Sequence, residues 1–411
     1  MERRVDVDED VPDRAANGAA DGVADGGTDG ATQAESDRER RARVFRGARR
    51  KLADGSIDGT AAERLRELAD WADASPYGRL PVDVYGDTVV EELERRVAEE
   101  LGFPAAAFFP TGTMAQQVAL RCWAGRTGNP VVALHPLAHP EQHENDAFTA
   151  VSALRTTHPT DAPRLPTAEE VRDHPEPFGT LMLELPLRDA GFVLPSWEEL
   201  VGAVDAARER DAVVHFDGAR LWDCPAWFGR PLPEIAGLAD SVYVSFYKSL
   251  GGLSGAALAG PAELVEEARV WRHRYGGQLF QQYPAALSAL RGLATELPRL
   301  PAYVAHARVV AEELRAALTE AGVGWFRIHP ETPHTHQFQV WLPYDPDLLS
   351  TAALAQAEET GTLLFRRWFP GPLGAPPGIA ATEVTVNGPG LDWTREDVRA
   401  AVRDFLGRLA A

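Results

Sequence analysis

Short apolar runs alternate with amphipathic stretches along most of this chain, and the alternation predicts an α/β fold with a mostly parallel sheet. Ala105 to Phe109, Pro130 to Leu134, Thr180 to Leu185, Ala212 to Phe216 and Ser241 to Phe246 read as strands. Between them the period changes to that of a helix. Val89 to Leu101 sets Val90, Leu93 and Val97 on one face, and Thr113 to Trp123 reads as a second helix. Ser196-Trp-Glu-Glu199 is a capping box opening a helix to Arg210, because hydroxyl and carboxylate each satisfy an orphan backbone donor. Pro261 to about Arg274 reads as another helix. From Ala302 the order becomes a long helix, an alternating strand through Phe338, Val340 and Leu342, a helix, strands near Leu363 and Val384, and a closing helix from Thr394.

The same pattern divides the chain. Residues 1–36 are Asp, Gly, Ala and Glu with almost no large apolar side chain, so they predict a disordered acidic tail. Residues 37–80 predict an N-terminal helical segment, in which Arg38 to Lys51 reads as a solvated helix face and Thr60 to Trp71 as a helix. A large domain over 81–298 and a smaller C-terminal α/β domain over 299–411 follow. No internal repeat is present.

Composition narrows the partners. Hydrophobic content of 45% in 411 residues supplies a sizeable core. A net charge of -20 argues against a nucleic-acid or anionic-membrane binder. Cys122 and Cys224 lie far apart and in no metal-ligand spacing, which predicts a cytoplasmic, reducing environment without structural zinc or disulfides. No segment approaches the roughly 20 apolar residues of a membrane span, and the acidic N-terminus lacks a signal-peptide pattern.

Against that background one residue stands out. Lys51 and Lys248 are the only lysines of a chain that otherwise uses arginine, and Lys248 follows the apolar run Ser241-Val-Tyr-Val-Ser-Phe and precedes a glycine-rich turn. Lysine, unlike arginine, can lose its proton and form a Schiff base. The plainer alternative is a snorkelling surface amine.

Three further loops at strand ends carry chemistry, where open α/β sheets place ligands. In Pro110-Thr-Gly-Thr113 the amides of Gly112 and Thr113 and the Thr113 hydroxyl can hold a phosphate, or the turn is only a helix cap. In His215-Phe-Asp217-Gly-Ala-Arg220 a buried carboxylate needs a cationic partner, either Arg220 itself or a protonated ring nitrogen. Leu134 to Glu144 contains His135, His139 and His143. Their spacing allows a metal on a helix, but Pro136 and Pro140 disfavour a regular helix there. One imidazole can instead lie over an aromatic cofactor and move protons, oriented by Glu144. Amine, carboxylate, phosphate cradle and stacking imidazole are the parts that pyridoxal 5'-phosphate requires.

In this order the motifs resemble the threonine aldolase and β-eliminating lyase family of fold-type I pyridoxal-phosphate enzymes. The resemblance rests on Tyr85-Gly86-Asp87, Thr111-Gly112-Thr113-Met114, His139 with Glu144, His215 to Arg220, and Ser245 to Gly251. It implies a seven-stranded, mostly parallel large-domain sheet, and a homodimer or homotetramer acting on a small amino acid, with neither nucleic acid nor membrane as partner. It implies Lys248 as the cofactor-binding amine, Asp217 on the ring nitrogen, His139 over the ring, Gly112 and Thr113 on the phosphate, and Arg220 near the ring oxygen and the substrate carboxylate. Tyr85, Arg220 and Arg188 are the candidate substrate contacts.

Three departures bear on the substrate. Glu184-Leu-Pro-Leu187-Arg188 stands where the family has Glu-Asn-Thr-His, so a histidine becomes Leu187. Glu383-Val-Thr-Val-Asn387 stands in place of Arg-x-Val-Thr-His, which removes an arginine. Gly276 to Gln281 has Phe280 in place of another. Arg188, Arg366 and Arg367 are the candidate replacement cations, or plain solvated surface. The leading expectation is a lyase that cleaves a β-hydroxy-α-amino acid to glycine and an aldehyde. Its alternatives are β-elimination or racemisation with the same cofactor, and a non-catalytic binding subunit.

Overall fold

The structure is a computed structural model and describes residues 36–54, 59–372 and 375–409. The expected acidic tail therefore lies, except for Ser36, outside the described residues.

Seven strands form the larger sheet: β1 (Ala105–Phe109), β2 (Val131–Ala133), β3 (Arg155–Thr157), β4 (Thr180–Glu184), β5 (Val213–Gly218), β6 (Ser241–Ser245) and β7 (Ala256–Gly260). Their order is β1-β7-β6-β5-β4-β2-β3. Pairing is parallel from β3 through to β6, and β7 runs antiparallel to both β6 and β1. β4, β6 and β7 are buried at every residue, which is why such strands read as continuous apolar runs rather than as alternations. The parallel pairs send β2, β4, β5 and β6 out of the sheet at one edge, so the residues that follow them converge there.

Helices cover the sheet. Val90, Leu93 and Val97 of the helix Val89–Leu101 are each 0% exposed against it. The capping box at Ser196 forms, with Ser196 N–H donating to Glu199 at 2.7 Å and Glu199 N–H donating back to the hydroxyl at 3.2 Å. A second sheet, entirely antiparallel, contains β8 (Arg327–His329), β9 (Gln337–Leu342), β10 (Phe369–Pro370) and β11 (Ala380–Thr385) in the order β10-β11-β9-β8. The helix Leu300–Glu320 ties the two layers together. Leu300 and Tyr303 belong to the core of the larger sheet, whereas Ala307 to Leu318 pack with β9 and β11.

Some details differ from the sequence reading. The helix Asp37–Gly47 is not wholly solvated, because Val44 and Phe45 are buried against Ala357 and Leu363 and Arg40 pairs with Glu358. Arg50–Lys51 then pairs in parallel with Thr362–Leu363 as a separate two-stranded ladder. Pro140 does not exclude a helix: it occupies the first turn of the helix His139–His143, where a missing N–H costs nothing. Among the described residues no helix is long and apolar enough to cross a membrane.

Candidate active site

Asp217 is the penultimate residue of β5, is 2% exposed, and faces Glu184 of β4 and Tyr243 of β6 in register. Its Oδ1 accepts the Ala219 N–H at 3.1 Å, which closes the turn beyond the strand. Burial raises the pKa of the carboxyl, and the positive charges of Lys248 and then of His139 pull it back down. The turn that carries Lys248 follows β6, the strand that pairs with β5 at Asp217. The alternative of an Asp217–Arg220 pair is not realised. Arg220, 8% exposed, donates its Nε–H to Gln337 of β9 at 2.7 Å and lies over the Phe192 ring.

Lys248 is half-buried, three residues beyond the end of β6. Two bonds tie its turn to the turn after Asp217: Trp222 Nε1–H donates to the Ser245 carbonyl at 2.9 Å, and the Ser249 hydroxyl donates to Asp223 at 2.9 Å. The turn itself needs its glycines. Gly251 has φ +64°, and a Cβ on Gly252 would stand 2.8 Å from the Phe246 carbonyl oxygen.

At the start of the helix Gly112–Thr127 the Thr111 hydroxyl accepts from Met114 N–H at 3.2 Å. The amides of Gly112 and Thr113 make no hydrogen bond among the described residues, leaving two donors at a helix N-terminus. Gly112 is also a close approach, since a Cβ there would lie 2.1 Å from the Tyr243 hydroxyl. Tyr243 thereby links this turn to β6, one strand from Asp217.

Of the three histidines of the loop after β2, His139 and His143 lie with ring centroids 5.1 Å apart, each with its own carboxylate, and the described residues contain no cluster of three or more side chains that could hold a metal ion. His135 bonds to the Ala162 carbonyl at 2.6 Å. The His139 imidazole meets Glu144 through Nδ1 at 3.2 Å, and His143 meets Asp189 through Nε2 at 2.8 Å. A carboxylate only accepts, so Nδ1 of His139 carries its proton toward Glu144 and Nε2 is the proton-accepting atom of the neutral ring.

Of the other candidates, Arg188 is 8% exposed and pairs with Glu383 of β11 at 3.1 Å, so it is not solvated surface. Arg366 and Arg367 lie apart from this group: Arg366 donates to the Ala53 carbonyl at 2.8 Å, and Arg367 is exposed over Phe369. Tyr85 is 54% exposed, and its ring packs edge-on against Phe280. No hydrogen bond or ring contact joins it to Asp217, Lys248 or Arg220 among the described residues. Leu187 is 0% exposed within the main core, so nothing polar projects from that position.

One residue, the Glu184 that matches the first position of the family's Glu-Asn-Thr-His, was given no role in the sequence reading. Glu184 ends β4 at 6% exposure, and burial, then the negative charge of Asp217, push its pKa up to about 7. An acid terminating an otherwise apolar run was the available signal.

The family model described as "Beta-eliminating lyase" matches residues 82–323. The low specificity L-threonine aldolase of Escherichia coli strain K12 is 31% identical over 266 residues, covering 63% of this chain and 78% of that protein. Among solved structures, a protein of Exiguobacterium sp. 255-15 assigned to the aromatic amino acid β-eliminating lyase/threonine aldolase group superposes with a TM-score of 0.80 at 33% identity. It covers 90% of this chain and 99% of its own. A Listeria monocytogenes EGD-E protein assigned as an L-allo-threonine aldolase gives 0.79 at 31% identity, with the same two coverages of 90% and 99%.

Proposed function

The chain belongs to the β-eliminating lyase family and has the fold of type I pyridoxal-phosphate enzymes, and from this premise we propose that it cleaves the Cα–Cβ bond of a β-hydroxy-α-amino acid, giving glycine and an aldehyde. The observation that carries the reading is the buried Asp217 carboxylate near a strand end, with the half-buried Lys248 amine in the turn that follows the neighbouring strand.

The residues present fit pyridoxal 5'-phosphate. A carboxylate without a neutralising guanidinium suits a ring cation, and two open amides at a helix N-terminus suit a phosphate. Lys248 would anchor the cofactor covalently, Asp217 would hold its ring nitrogen protonated, and the Gly112 and Thr113 amides with the Thr113 hydroxyl would take its phosphate. Bound there, the cofactor supplies an electron-accepting ring that stabilises negative charge developing at Cα.

The remaining steps belong to side chains. His139, oriented by Glu144, takes the β-hydroxyl proton through Nε2, so that the β-carbon leaves as the aldehyde. The substrate carboxylate goes to Arg220. Arg188 already faces Glu383 at 3.1 Å and Asp189 at 4.0 Å, whereas the Arg220 Nε–H is spent on a neutral amide. Arg188 is the second, weaker cation of the pocket. With threonine, phenylserine and serine as substrates, aldehyde and glycine are expected in equal amounts from at least one of them. Ammonia or racemised substrate without aldehyde would overturn the aldol reading.

We place the active form in the cytoplasm as a homodimer or homotetramer. Two free, buried cysteines support the first. For the second, Val82 (50% exposed), Val84 (48%), Tyr85 and Phe280 (58%) form an apolar patch, with Tyr85 N–H donating to the Phe280 carbonyl at 2.9 Å. Such a patch fits a second copy, which would also bring Tyr85 to a neighbouring site. Light scattering is expected to give at least twice the chain mass, and a Tyr85→Asp/Phe280→Asp double variant a smaller particle; a monomeric wild type would exclude the assignment.

A further inference from the structure

We propose that Glu184 is the positioning residue of this site: a single buried carboxylate that holds the His139 loop with one oxygen and the Arg188 loop with the other. The inference rests on the reading above for the roles of those two side chains, but the contacts themselves do not depend on it.

Glu184 Oε2 accepts the backbone N–H of His139 at 2.8 Å, and Oε1 accepts the backbone N–H of Arg188 at 3.1 Å. The first bond replaces something that the sequence lacks. His139 opens a five-residue helix whose N-cap is Ala138, which has no side chain able to cap it. The cap arrives instead from β4, 45 residues away. The second bond fixes Arg188 where the chain turns back on itself, between the Leu187–Val193 bridge and the Gly191 and Phe192 amides that donate to the Arg188 carbonyl. Both bonds start from a strand end locked in register with Asp217. One side chain thus fixes the backbone that carries the imidazole and the backbone that carries the guanidinium relative to the strand end of Asp217.

Only a carboxylate performs this task. Two N–H donors approach two different oxygens, and an amide in the same place would accept one and turn its own N–H against the other. Keeping an acid here works against both burial and the neighbouring Asp217, which is the cause of its raised pKa. A residue retained only for packing would not need the charge.

The test compares Glu184→Gln and Glu184→Asp with wild type by hydrogen exchange resolved at His139 and Arg188, alongside steady-state kinetics of the cofactor-loaded enzymes. In Glu184→Gln the two amides are expected to exchange about tenfold faster or more, since each unsatisfied donor forfeits a charge-assisted bond. Amides of residues 213–218 should keep their protection. kcat should fall through His139 and KM rise through Arg188. Glu184→Asp, which retains both acceptors on a shorter stem, should fall between Gln and wild type in every readout, and it serves alone should the Gln variant not fold. Unchanged exchange at His139 and Arg188 overturns the proposal, as does an equal loss in both variants that extends to residues 213–218. The exchange experiment needs no turnover. A wild type that makes no aldehyde would therefore sink the proposed reaction while the exchange result still decides whether Glu184 holds both loops.

Discussion

Lys248→Ala is expected to abolish the visible absorbance of the cofactor-loaded protein and to reduce aldehyde formation by at least roughly 10³-fold, the scale on which enzymes lose rate when their nucleophile is removed. No other group can take over. The second lysine, Lys51, is bound to Asp54 through Nζ at 2.9 Å, on the segment that pairs with Thr362–Leu363. Lys51→Ala is thus the matched control and should keep both colour and rate. The fold should tolerate the change, because Lys248 is half-buried and its turn is held by Ser245, Ser249 and the glycines that follow rather than by the amine. Absorbance spectra and an aldehyde assay on the two variants decide the matter. A Lys248→Ala protein retaining a tenth of the wild-type rate would remove the amine from the reaction.

The residues of that assay were visible in the sequence for a physical reason. β4, β5 and β6 lie inside the sheet, so each appears as an apolar run, and a polar residue at or beyond the end of such a run stands out: Asp217 in the last two residues of β5, Lys248 after β6. Where that logic fails the elements were missed. β3 is a three-residue edge strand of Arg and Thr, and β7 is almost all alanine and glycine, composition that carries little strand propensity. The helix Tyr283–Thr295 was hidden by Pro284, which is harmless in a first turn. Side-chain partnerships were less legible still. Arg188 meets Glu383 across 195 positions and Arg220 meets Gln337 across 117, and only the approach of β9 and β11 to the loops that leave the larger sheet brings them together. Glu184 shows in the sequence as an acid ending an apolar run, but its role did not, because what it binds is backbone, which leaves no mark on residue identity.

Asp217→Asn is expected to separate activity from stability. Activity should fall by roughly 10²-fold or more, as when a preorganised electrostatic group is removed from an active site, because an amide cannot hold a ring nitrogen protonated. Stability of the cofactor-free protein should move the other way. Burial holds the Asp217 pKa above its unfolded value of 3.8 despite Lys248 and His139, so the folded state binds this proton more tightly than the unfolded state does. The stability that the group contributes is complete below 3.8 and is lost as pH rises through the higher folded value. Asparagine has no proton to lose. The melting temperature of the cofactor-free variant should therefore exceed that of wild type at pH 7, with a gap that narrows as the pH is lowered into the carboxylate range. Calorimetry across that range, paired with the aldehyde assay at neutral pH, tests both halves. A variant that melts below wild type at pH 7 would mean that Lys248 and His139 more than offset the burial of Asp217, and that the acid is held in place by the protein's own cations rather than kept for one arriving with the cofactor.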